Sequence, residues 1–392
     1  MEFLSLKTAA FGLEITDLNL RMVDLKKKNG KTVLSSLSGL EIASGIVEAG
    51  EVKDVGKLAE AIKNCLKKTD GSKIEKRHVV VSLPDDKAFL QVIQMPKIGE
   101  NDLRLAVPFE AENYIPMALE KACFDYQAIL DPSENINHLD VLIAAFPKNT
   151  IDLYVEAVKE ADLVPIAFEL ESQAIARALV KNGFSEGPIL IIHVGDVKTN
   201  LMIYAGYSLR ISFSIPISNK YFIDTISKIL GIGAKEAEVL KNNYGIEKNN
   251  NTVGVFGEKK KALGASERKL DGEGRAKRDK DQRAIFEALV PSIIDFTQQI
   301  EKYLNYYHTH ASHEHLGKNK RIVGKIILCG AGANLKGLDQ LIGLRLRLPV
   351  QKEAIIFDGP FPFKGKNPVP DVHINQFVTA FGLAMRGLDG EG

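Results

Sequence analysis

The chain has 392 residues, of which 45% are hydrophobic and 26% are charged, and its formal net charge is +1 at pH 7. This length exceeds what one compact core usually holds, so we expect two or more folded units. The composition is that of a globular protein, and the near-neutral charge gives no reason to expect that the chain as a whole binds nucleic acid or acidic lipid.

The first 83 residues predict a small sheet covered by a helix. Phe11, Leu13 and Ile15 alternate with Gly12 and Glu14, which is typical of a strand. A turn, two further strands, a helix with one apolar face and a short apolar strand follow. We assign these elements to 11–15, 18–22, 33–42, 55–66 and 78–83.

From Pro84 the pattern indicates a smaller unit inserted into the first lobe. We expect Asn101 to cap its first helix and Pro108 to kink that helix. The strand, helix, strand, strand and helix of this unit lie at 89–95, 101–114, 122–129, 139–146 and 151–163. The sequence therefore predicts a β-α-β-β-α subdomain at about 84–164, followed by a helix at 169–180.

The second half of the chain repeats the opening pattern of three strands and a helix. The repeated elements lie at 189–194, 201–205, 209–215 and 221–230, and a further helix is assigned to 234–243. The repetition suggests two related lobes, at 1–180 and 181–392, with a second inserted subdomain at about 231–324. Within that insertion, the charged stretch 258–283 is interpreted as a solvated loop or helix extension, and 285–307 as a long helix.

Four histidines, His308, His310, His313 and His315, follow the long helix. Imidazoles together with the neighbouring Glu314 could bind a metal ion. The polar stretch that comes next favours an exposed connection instead, so we assign no metal site. The chain also contains no GxxxxGK[ST] loop, no HExxH motif and no GxSxG motif.

A short apolar strand near the end of the chain leads into closely spaced small residues. The strand at 326–328 precedes Gly330, Ala331 and Gly332, and we expect Asn334 to cap the next helix. A strand, a glycine turn and a helix N-terminus present free N–H groups to an anion or a nucleotide. A tight connection without a ligand is the alternative. A Pro-rich loop at 358–370 and a helix at 375–388 complete the pattern.

The cysteines and the apolar segments indicate a cytoplasmic protein. Cys65, Cys123 and Cys329 each lie among apolar residues, which favours reduced core thiols over a disulfide framework or a zinc site. The first residues lack the charged head and long apolar run of a signal peptide. We find no segment with the ~18 unbroken apolar residues of a membrane span.

Several segments, in their order along the chain, resemble one known family. They are FGLEI, VVVSLP, FEAENYIPMALEKACFDYQAI, IIHVGDVKTNLMIYAG, GIGAKEAEVLKNNYG and IILCGAGANLKGL. Over nearly its whole length the chain is similar to the PilM family of type IV pilus assembly proteins, which are related to the division protein FtsA. The resemblance implies an α/β, actin-like ATPase fold in which two related lobes surround a nucleotide cleft.

The resemblance also implies a partner. PilM-like proteins hold the short N-terminal cytoplasmic tail of PilN, an inner-membrane protein. We therefore expect such a peptide to bind against the inserted subdomain at about 84–164. The chain would then lie at the periphery of the inner membrane through this partner, without inserting into the membrane itself and without binding nucleic acid.

By the same resemblance, a set of residues is expected to contact ATP and Mg²⁺. They belong to two phosphate-binding hairpins, a ribose-contacting helix and an adenosine-binding turn. In chain order these residues are Gly12 and Glu14; Gly195, Asp196 and Thr199; Glu238 and Lys241; and Gly330, Ala331, Gly332 and Asn334.

The phosphate end of this predicted site departs from the family pattern. Ile15 and Leu18 add bulk to the first hairpin, and Asp17 adds a negative charge that repels phosphate. In the second hairpin His193 stands where the family has an aspartate, and a neutral imidazole does not replace a carboxylate in holding Mg²⁺ through water. We therefore expect a scaffold whose ATP hydrolysis is weak or absent, and we assign no catalytic residue.

Two other functions would suit the same fold. An active Mg²⁺-dependent ATPase would use Glu14, Asp196 and Thr199 to hold the metal and water. A small-molecule kinase would need an acidic base and a pocket for a second substrate, and no motif in the sequence indicates either.

Overall fold

The computed structural model describes residues 9–129, 137–246, 272–310, 321–352, 355 and 374–388. The strands in this part of the chain are β1 (Phe11–Ile15), β2 (Asn19–Lys28), β3 (Lys31–Glu41), β4 (Val47–Glu48), β5 (Glu51–Val52), β6 (Asp70–Gly71), β7 (His78–Leu83), β8 (Phe89–Pro96), β9 (Ala122–Ile129), β10 (His138–Pro147), β11 (Val164–Leu170), β12 (Ser185–Val194), β13 (Thr199–Gly206), β14 (Ser208–Ile215), β15 (Lys325–Cys329) and β16 (Val350–Gln351). The helices are α1 (Val55–Lys67), α2 (Glu100–Ala111), α3 (Lys148–Glu160), α4 (Glu171–Leu179), α5 (Asn219–Leu230), α6 (Ala234–Tyr244), α7 (Gly272–His310), α8 (Leu338–Leu346) and α9 (Val378–Leu388).

The first sheet has the strand order β11-β7-β1-β2-β3-β6. β1 and β2 pair antiparallel across a tight turn, whereas β7 lies parallel to β1 and β11 lies parallel to β7. Phe11, Leu13 and Ile15 are buried in a core shared with α1 and α3, as their alternation predicts. β2 continues to Lys28, beyond its predicted end at residue 22.

Strand β11 is absent from the sequence prediction, which instead begins a helix at residue 169. The structure corrects this, because the chain stays extended to Leu170 and α4 begins at Glu171. Val164, Ile166, Phe168 and Leu170 alternate along this run, which is a strand signal that the prediction overlooked, and Pro165 is the one residue that speaks against it. β11 lies at the edge of its sheet, the position in which a strand tolerates proline.

The last helix, α9, packs on the first sheet and against α4, although chain order assigns it to the second lobe. The contact depends on glycine. A Cβ on Gly12 of β1 would overlap the carbonyl oxygen of Ala380, and a Cβ on Gly382 would overlap the carbonyl oxygen of Ala174. The helix therefore approaches the strand and the neighbouring helix more closely than any larger residue permits.

The inserted subdomain is a three-stranded sheet of order β8-β10-β9 with α2 packed on it. The predicted cap at Asn101 is wrong, because α2 begins one residue earlier and Gly99 occupies the cap position. Leu103 N donates to the Gly99 carbonyl oxygen over 2.9 Å, which starts the helix without a side-chain cap. Pro108 lies in the last turn, and the helix ends at Ala111, earlier than predicted.

The second sheet repeats the topology of the first, with the strand order β14-β13-β12-β15-β16. β12, β13 and β14 form the antiparallel meander, and β15 lies parallel to β12 as β7 lies parallel to β1. Helices α5, α6, α7 and α8 contribute to one core against this sheet. The predicted apolar stripe of the long helix is confirmed, since Ile285, Leu289 and Phe296 are buried in that core. The helix begins at Gly272, so the described part of the charged stretch, 272–283, is helix.

The turn after β15 differs from its prediction. Residues 331–334 form a short 3₁₀ turn, and α8 begins only at Leu338, so Asn334 does not cap it. Gly337, with φ 83°, takes the cap position instead. Leu335 and Leu338 are buried as expected, but they do not share one helix.

Three predicted features lie wholly or partly outside the described residues: the Pro-rich loop at 358–370, residues 258–271 of the charged stretch, and His313 and His315. His308 and His310 end α7, where the His310 ring stacks on Tyr306 at 4.3 Å between centroids. Within the described ranges no three His, Cys, Asp or Glu side chains are grouped to hold a metal ion. Of the helices in those ranges, none has the length and apolar character needed to cross a membrane.

The glycine contact at α9 gives a testable prediction. Replacing a helical glycine with alanine normally stabilises a helix by about 1 kcal/mol. We expect Gly382→Ala to lower the free energy of unfolding by about 1–3 kcal/mol instead, because its Cβ has no room beside Ala174. Gly324→Ala is a control for an alanine without steric overlap, since this glycine lies outside the helices and its Cβ would meet no atom within 4 Å. Chemical denaturation of both variants checks this, and a neutral or stabilising Gly382→Ala would contradict the packing described.

Candidate functional site

A cleft lies where the β1–β2 turn, the β12–β13 turn and the turn after β15 meet. The sequence shapes the first turn locally: Thr16 N–H donates to the Asn19 carbonyl oxygen over 2.9 Å, and Asn19 N–H donates to Thr16 Oγ1 over 3.0 Å. The second turn closes through Gly195 N–H and the Lys198 carbonyl oxygen, 2.9 Å apart. The cavity between these turns has a volume of about 50 Å³.

Arg21 of β2 joins the two lobes at the centre of this cleft. Its Nη2 lies 2.5 Å from Asp196 Oδ2, and its Nη1 lies 3.5 Å from Glu14 Oε2. Asn19 Nδ2 donates to the same Asp196 oxygen over 3.0 Å. Burial disfavours the charged guanidinium, but Asp196 and Glu14 outweigh it and raise the pKa of Arg21. Arg21 therefore stays charged and binds one carboxylate from each hairpin.

Glu14 is the less well satisfied of the two carboxylates. Burial raises its pKa to about 7, while Arg21 opposes that shift. Its Oε2 atom has no hydrogen-bond partner, which fits the longer of the two distances to Arg21. Near neutral pH the Glu14 carboxyl is therefore partly protonated, and Asp196 carries the stronger ion pair.

A second cluster crosses the cleft at Lys198. Its Nζ lies 2.6 Å from Asp86 Oδ1 and 3.5 Å from Glu171 Oε2. Asn200 Nδ2 donates to Glu171 over 2.9 Å and to Asp85 over 3.2 Å. Burial raises the pKa of Asp85 to about 7. Within the cleft, the lobes are thus joined by polar contacts at two residues of the β12–β13 turn, Asp196 and Lys198.

His193 fills the space between two of the predicted nucleotide-contacting glycines. A Cβ on Gly195 would meet its ring Cε1 at 3.4 Å, and a Cβ on Gly330 would meet its Cδ2 at 2.8 Å. Burial lowers the pKa of His193 to about 4, so the ring is neutral at physiological pH. It therefore supplies bulk, and no charge, at this end of the cleft.

The turn after β15 follows the glycine prediction in its backbone. Gly330 has φ 92°, a conformation that favours glycine, and a Cβ there would also overlap the Val194 carbonyl oxygen. Gly332 packs against the Val194 side chain, Ala331 lines the cavity, and Asn334 is half-buried at the end of the turn.

Of the predicted site residues, Glu14, Gly195, Asp196 and Ala331 line the same cavity. Others lie apart from it. Gly12 faces α9, as described above. Thr199 is buried and donates its hydroxyl to the Ile217 carbonyl oxygen over 2.6 Å.

The two residues assigned to the ribose lie on α6 in different settings. Glu238 is exposed. Lys241 is buried, donates to Asn219 Oδ1, and has a pKa lowered by burial. Their roles in nucleotide binding stay predictions.

Sequence reasoning overlooked Arg21 and Lys198, which join the lobes at the cleft. A signal for Arg21 was present, because it interrupts the apolar run of β2, and a buried arginine is rare without a carboxylate. The partner itself could not be found, since Asp196 lies 175 residues further along the chain. Asp17 lines the cavity, and its expected repulsion of phosphate stays a prediction. Its carboxylate accepts the N–H groups of Ala49 and Gly50 over 2.8 and 3.0 Å.

A larger groove of about 930 Å³ lies between the inserted subdomain and the rest of the molecule. One wall is β9, an edge strand of its sheet. The opposite wall combines β11, α4 and the β13–β14 hairpin, including Phe168, Tyr204 and Tyr207. At the groove, buried Glu169 pairs with Arg177 Nη2 over 2.5 Å.

The inserted subdomain is also attached to the second sheet by a buried ion pair. Arg210 Nη1 of β14 lies 2.5 Å from Asp140 Oδ2 of β10, and both side chains are less than 10% exposed, at 6% and 8%. This contact fixes one boundary of the groove, because β10 pairs directly with β9.

Comparison with known proteins identifies the family. The family model for the type IV pilus assembly protein PilM matches residues 12–255, which is more than half of the chain. The chain belongs to the PilM family. A solved PilM–PilN type IV pilus biogenesis complex is similar to it with a TM-score of 0.73 and 23% identity, over 97% of this chain and 99% of that one.

More distant structures share the fold of this PilM-family chain. MreB5 of Spiroplasma citri bound to ADP has a TM-score of 0.52 and 14% identity, covering 99% of both chains. The ethanolamine utilization protein EutJ from Carboxydothermus hydrogenoformans has a TM-score of 0.50 and 11% identity, covering 96% of this chain and 89% of that one. The predicted actin-like fold and the resemblance to PilM are therefore confirmed.

The ion pair at the cleft yields a stability prediction. Arg21→Met leaves Asp196 buried without its cation, so we expect the free energy of unfolding to fall by about 3–5 kcal/mol. The double variant Arg21→Met, Asp196→Asn removes both charges and should lose much less. Denaturant titration of the wild type, both single variants and the double variant measures the coupling. Additive losses in that cycle would show that the pair does not join the lobes.

Glu14 yields a prediction about pH. Its folded pKa of about 7 exceeds its ordinary value of 4.5, so it stabilises the fold below pH 4.5 and this contribution is lost as pH rises through 7. Glu14→Gln should remove up to about 3 kcal/mol of the decline in unfolding free energy between pH 5 and pH 8. The unfolding free energy of the variant should still fall somewhat over this range, because burial also raises the pKa of Asp85 to about 7. Parallel curves for wild type and variant would contradict the assignment.

Proposed function

We propose that this PilM-family chain is a scaffold of a type IV pilus or related secretion machine that binds the N-terminal cytoplasmic peptide of an inner-membrane PilN-like protein. We further propose that it hydrolyses ATP weakly or not at all, and that it reaches the inner membrane through the bound peptide. The observation that supports this most directly is the groove of about 930 Å³ beside the edge strand β9. The similar solved structure is itself a PilM–PilN complex.

The groove suits an extended peptide. An edge strand offers backbone N–H and C=O groups to an added strand, and pockets beside it select alternate side chains. Along β9, Cys123, Asp125 and Gln127 are exposed and line the groove. The opposite wall comes from both lobes, so a peptide bound there would contact the inserted subdomain and both sheets.

The groove also has a defined chemical character. Phe168 and Leu170 supply apolar surface, and Tyr207 stacks with Phe184 at 4.7 Å between ring centroids. Two arginines share the single Glu169 carboxylate, with Arg386 Nη1 at 3.6 Å from it. We expect the bound peptide to combine apolar anchors with a hydrogen-bonding group facing these arginines.

The cleft supports the second part of the proposal. The cavity of about 50 Å³ is far smaller than the groove of about 930 Å³. Arg21 lies between the Glu14 and Asp196 carboxylates that a magnesium ion would need. A magnesium–triphosphate therefore does not fit these residues in this arrangement, and we derive no catalytic step. Nucleotide binding would first have to break the Arg21–Asp196 contact.

We also propose the lobe boundaries indicated by the sequence, 1–180 and 181–392, with inserted subdomains at about 84–164 and 231–324. The separate sheet formed by β8, β9 and β10 supports the first insertion. The packing of α9 on the first sheet modifies the scheme, because the chain returns to the first lobe at its end.

Peptide binding can be followed at Cys123. This cysteine is exposed and lines the groove, whereas Cys65 and Cys329 are buried. We expect a synthetic N-terminal peptide of the inner-membrane partner, at about ten times its dissociation constant, to slow alkylation of Cys123 about tenfold. Calorimetry on the same samples measures the affinity.

Cys123→Ser is the control, because it removes the labelled thiol and leaves the groove otherwise intact. If the peptide binds without slowing alkylation of Cys123, its binding site lies outside this groove. Failure of the peptide to bind at all would overturn the scaffold proposal.

A further inference from the structure

The hairpin between β2 and β3 ends in a concentrated positive charge. Lys26, Lys27, Lys28 and Lys31 surround the two-residue turn Asn29-Gly30. Asn29 has φ 53° and Gly30 has φ 74°, which is the backbone of a type I′ turn that holds two strands in register. Four of the six residues 26–31 are therefore lysines, although the net charge of the whole chain is only +1.

The tip extends beyond the strand next to it. In the β1–β2 register Gly12 lies opposite Val23, so residues 25–28 of β2 continue past the first residue of β1. Four residues of strand span roughly 14 Å. Residues 26–31 are all exposed, so the lysines point from both faces of the ribbon. Because Ile15, at the other end of β1, lines the cleft, this tip lies at the opposite end of the sheet.

The described acids near the hairpin are fewer than its lysines. Asp24, at the base of the hairpin, is buried and lies 2.9 Å from Lys76 Nζ, so a cation outside the hairpin already pairs with it. The segment beside β3 adds an exposed Lys73, while its acids are Asp70 and Glu75. The described surface around the tip therefore keeps a net positive charge.

We propose that this hairpin tip docks on an anionic bilayer surface, with its lysine ammonium groups on the phosphates of lipid headgroups. A protein partner would need an apolar centre, and none of the exposed large apolar side chains of the described residues lies on this hairpin. Sequence-tolerant single-stranded nucleic-acid binding uses aromatic stacking, and residues 24–34 contain no aromatic side chain. A narrow ribbon with flexible cations on both faces suits a broad, diffuse negative surface.

This inference goes beyond peptide capture and does not depend on it. Each lysine near an anionic membrane strengthens binding about fivefold, so the tip alone gives a weak, salt-sensitive attachment. Combined with a peptide held in the groove, the two contacts would act on the same membrane and strengthen each other.

The test is co-sedimentation of the full chain, without any peptide, with phospholipid vesicles. The vesicles contain phosphatidylcholine alone or with about 30% phosphatidylglycerol, at low and high salt. We expect binding only to the anionic vesicles at low salt. The triple variant Lys26→Gln, Lys28→Gln, Lys31→Gln should bind about 100-fold more weakly.

A matched control removes the same charge from another surface, through Lys220→Gln, Lys228→Gln and Lys235→Gln, all exposed positions. It should retain most of the binding, and thermal melts should match for both variants. Equal binding to neutral vesicles, no binding to anionic vesicles, or equal losses in the two variants would overturn the proposal. Binding of an acidic protein or RNA in place of vesicles would also overturn it, whatever the peptide experiment gives.

Discussion

The Arg21–Asp196 ion pair is the contact on which the arrangement of the two lobes depends. It joins a side chain of β2 to the β12–β13 turn across 2.5 Å, in a cavity of about 50 Å³. Two buried charges at this distance stabilise the fold only while both are present, because either one alone would be desolvated without compensation. At Lys198 the charges are reversed: the cation belongs to the second lobe, and the carboxylates of Asp86 and Glu171 belong to the first.

The strand-to-helix junction between β11 and α4 connects these contacts to the groove of about 930 Å³. Glu169, at the end of β11, pairs with Arg177 in the groove, and Glu171, at the start of α4, lies in the cleft. Because these two carboxylates are two residues apart, the strand-to-helix junction is shared by both sites. The Arg210–Asp140 pair then fixes the inserted subdomain to the second sheet. The cleft and the groove therefore share residues of one junction, and a change at either site is felt at the other.

Local patterns predicted much of the fold. The alternation of Phe11, Leu13 and Ile15 and the repeated meander in the second half correctly indicated two similar sheets. Strand β11 was missed although Val164, Ile166, Phe168 and Leu170 alternate along it, so the sequence did carry a signal for this strand. The caps at Asn101 and Asn334 were wrong because a glycine occupies the cap position in each case.

The candidate site was less predictable, because its decisive contacts join distant parts of the chain. Family resemblance brought Glu14, Gly195, Asp196 and Ala331 to one cavity, but it gave no role to Arg21 or Lys198. A buried arginine inside an apolar strand indicates that a carboxylate partner exists, but the sequence does not identify that partner. The groove is even harder to predict from the sequence, since its walls come from three separate parts of the fold.

The most direct test of the closed cleft is Mg²⁺-dependent phosphate release from ATP by the purified wild-type chain, compared with a buffer blank and with Asp196→Asn. We expect release at or only slightly above the blank in both proteins, because Arg21 binds the two carboxylates that were expected to hold the metal. Turnover well above the blank in the wild type, lost in Asp196→Asn, would contradict it.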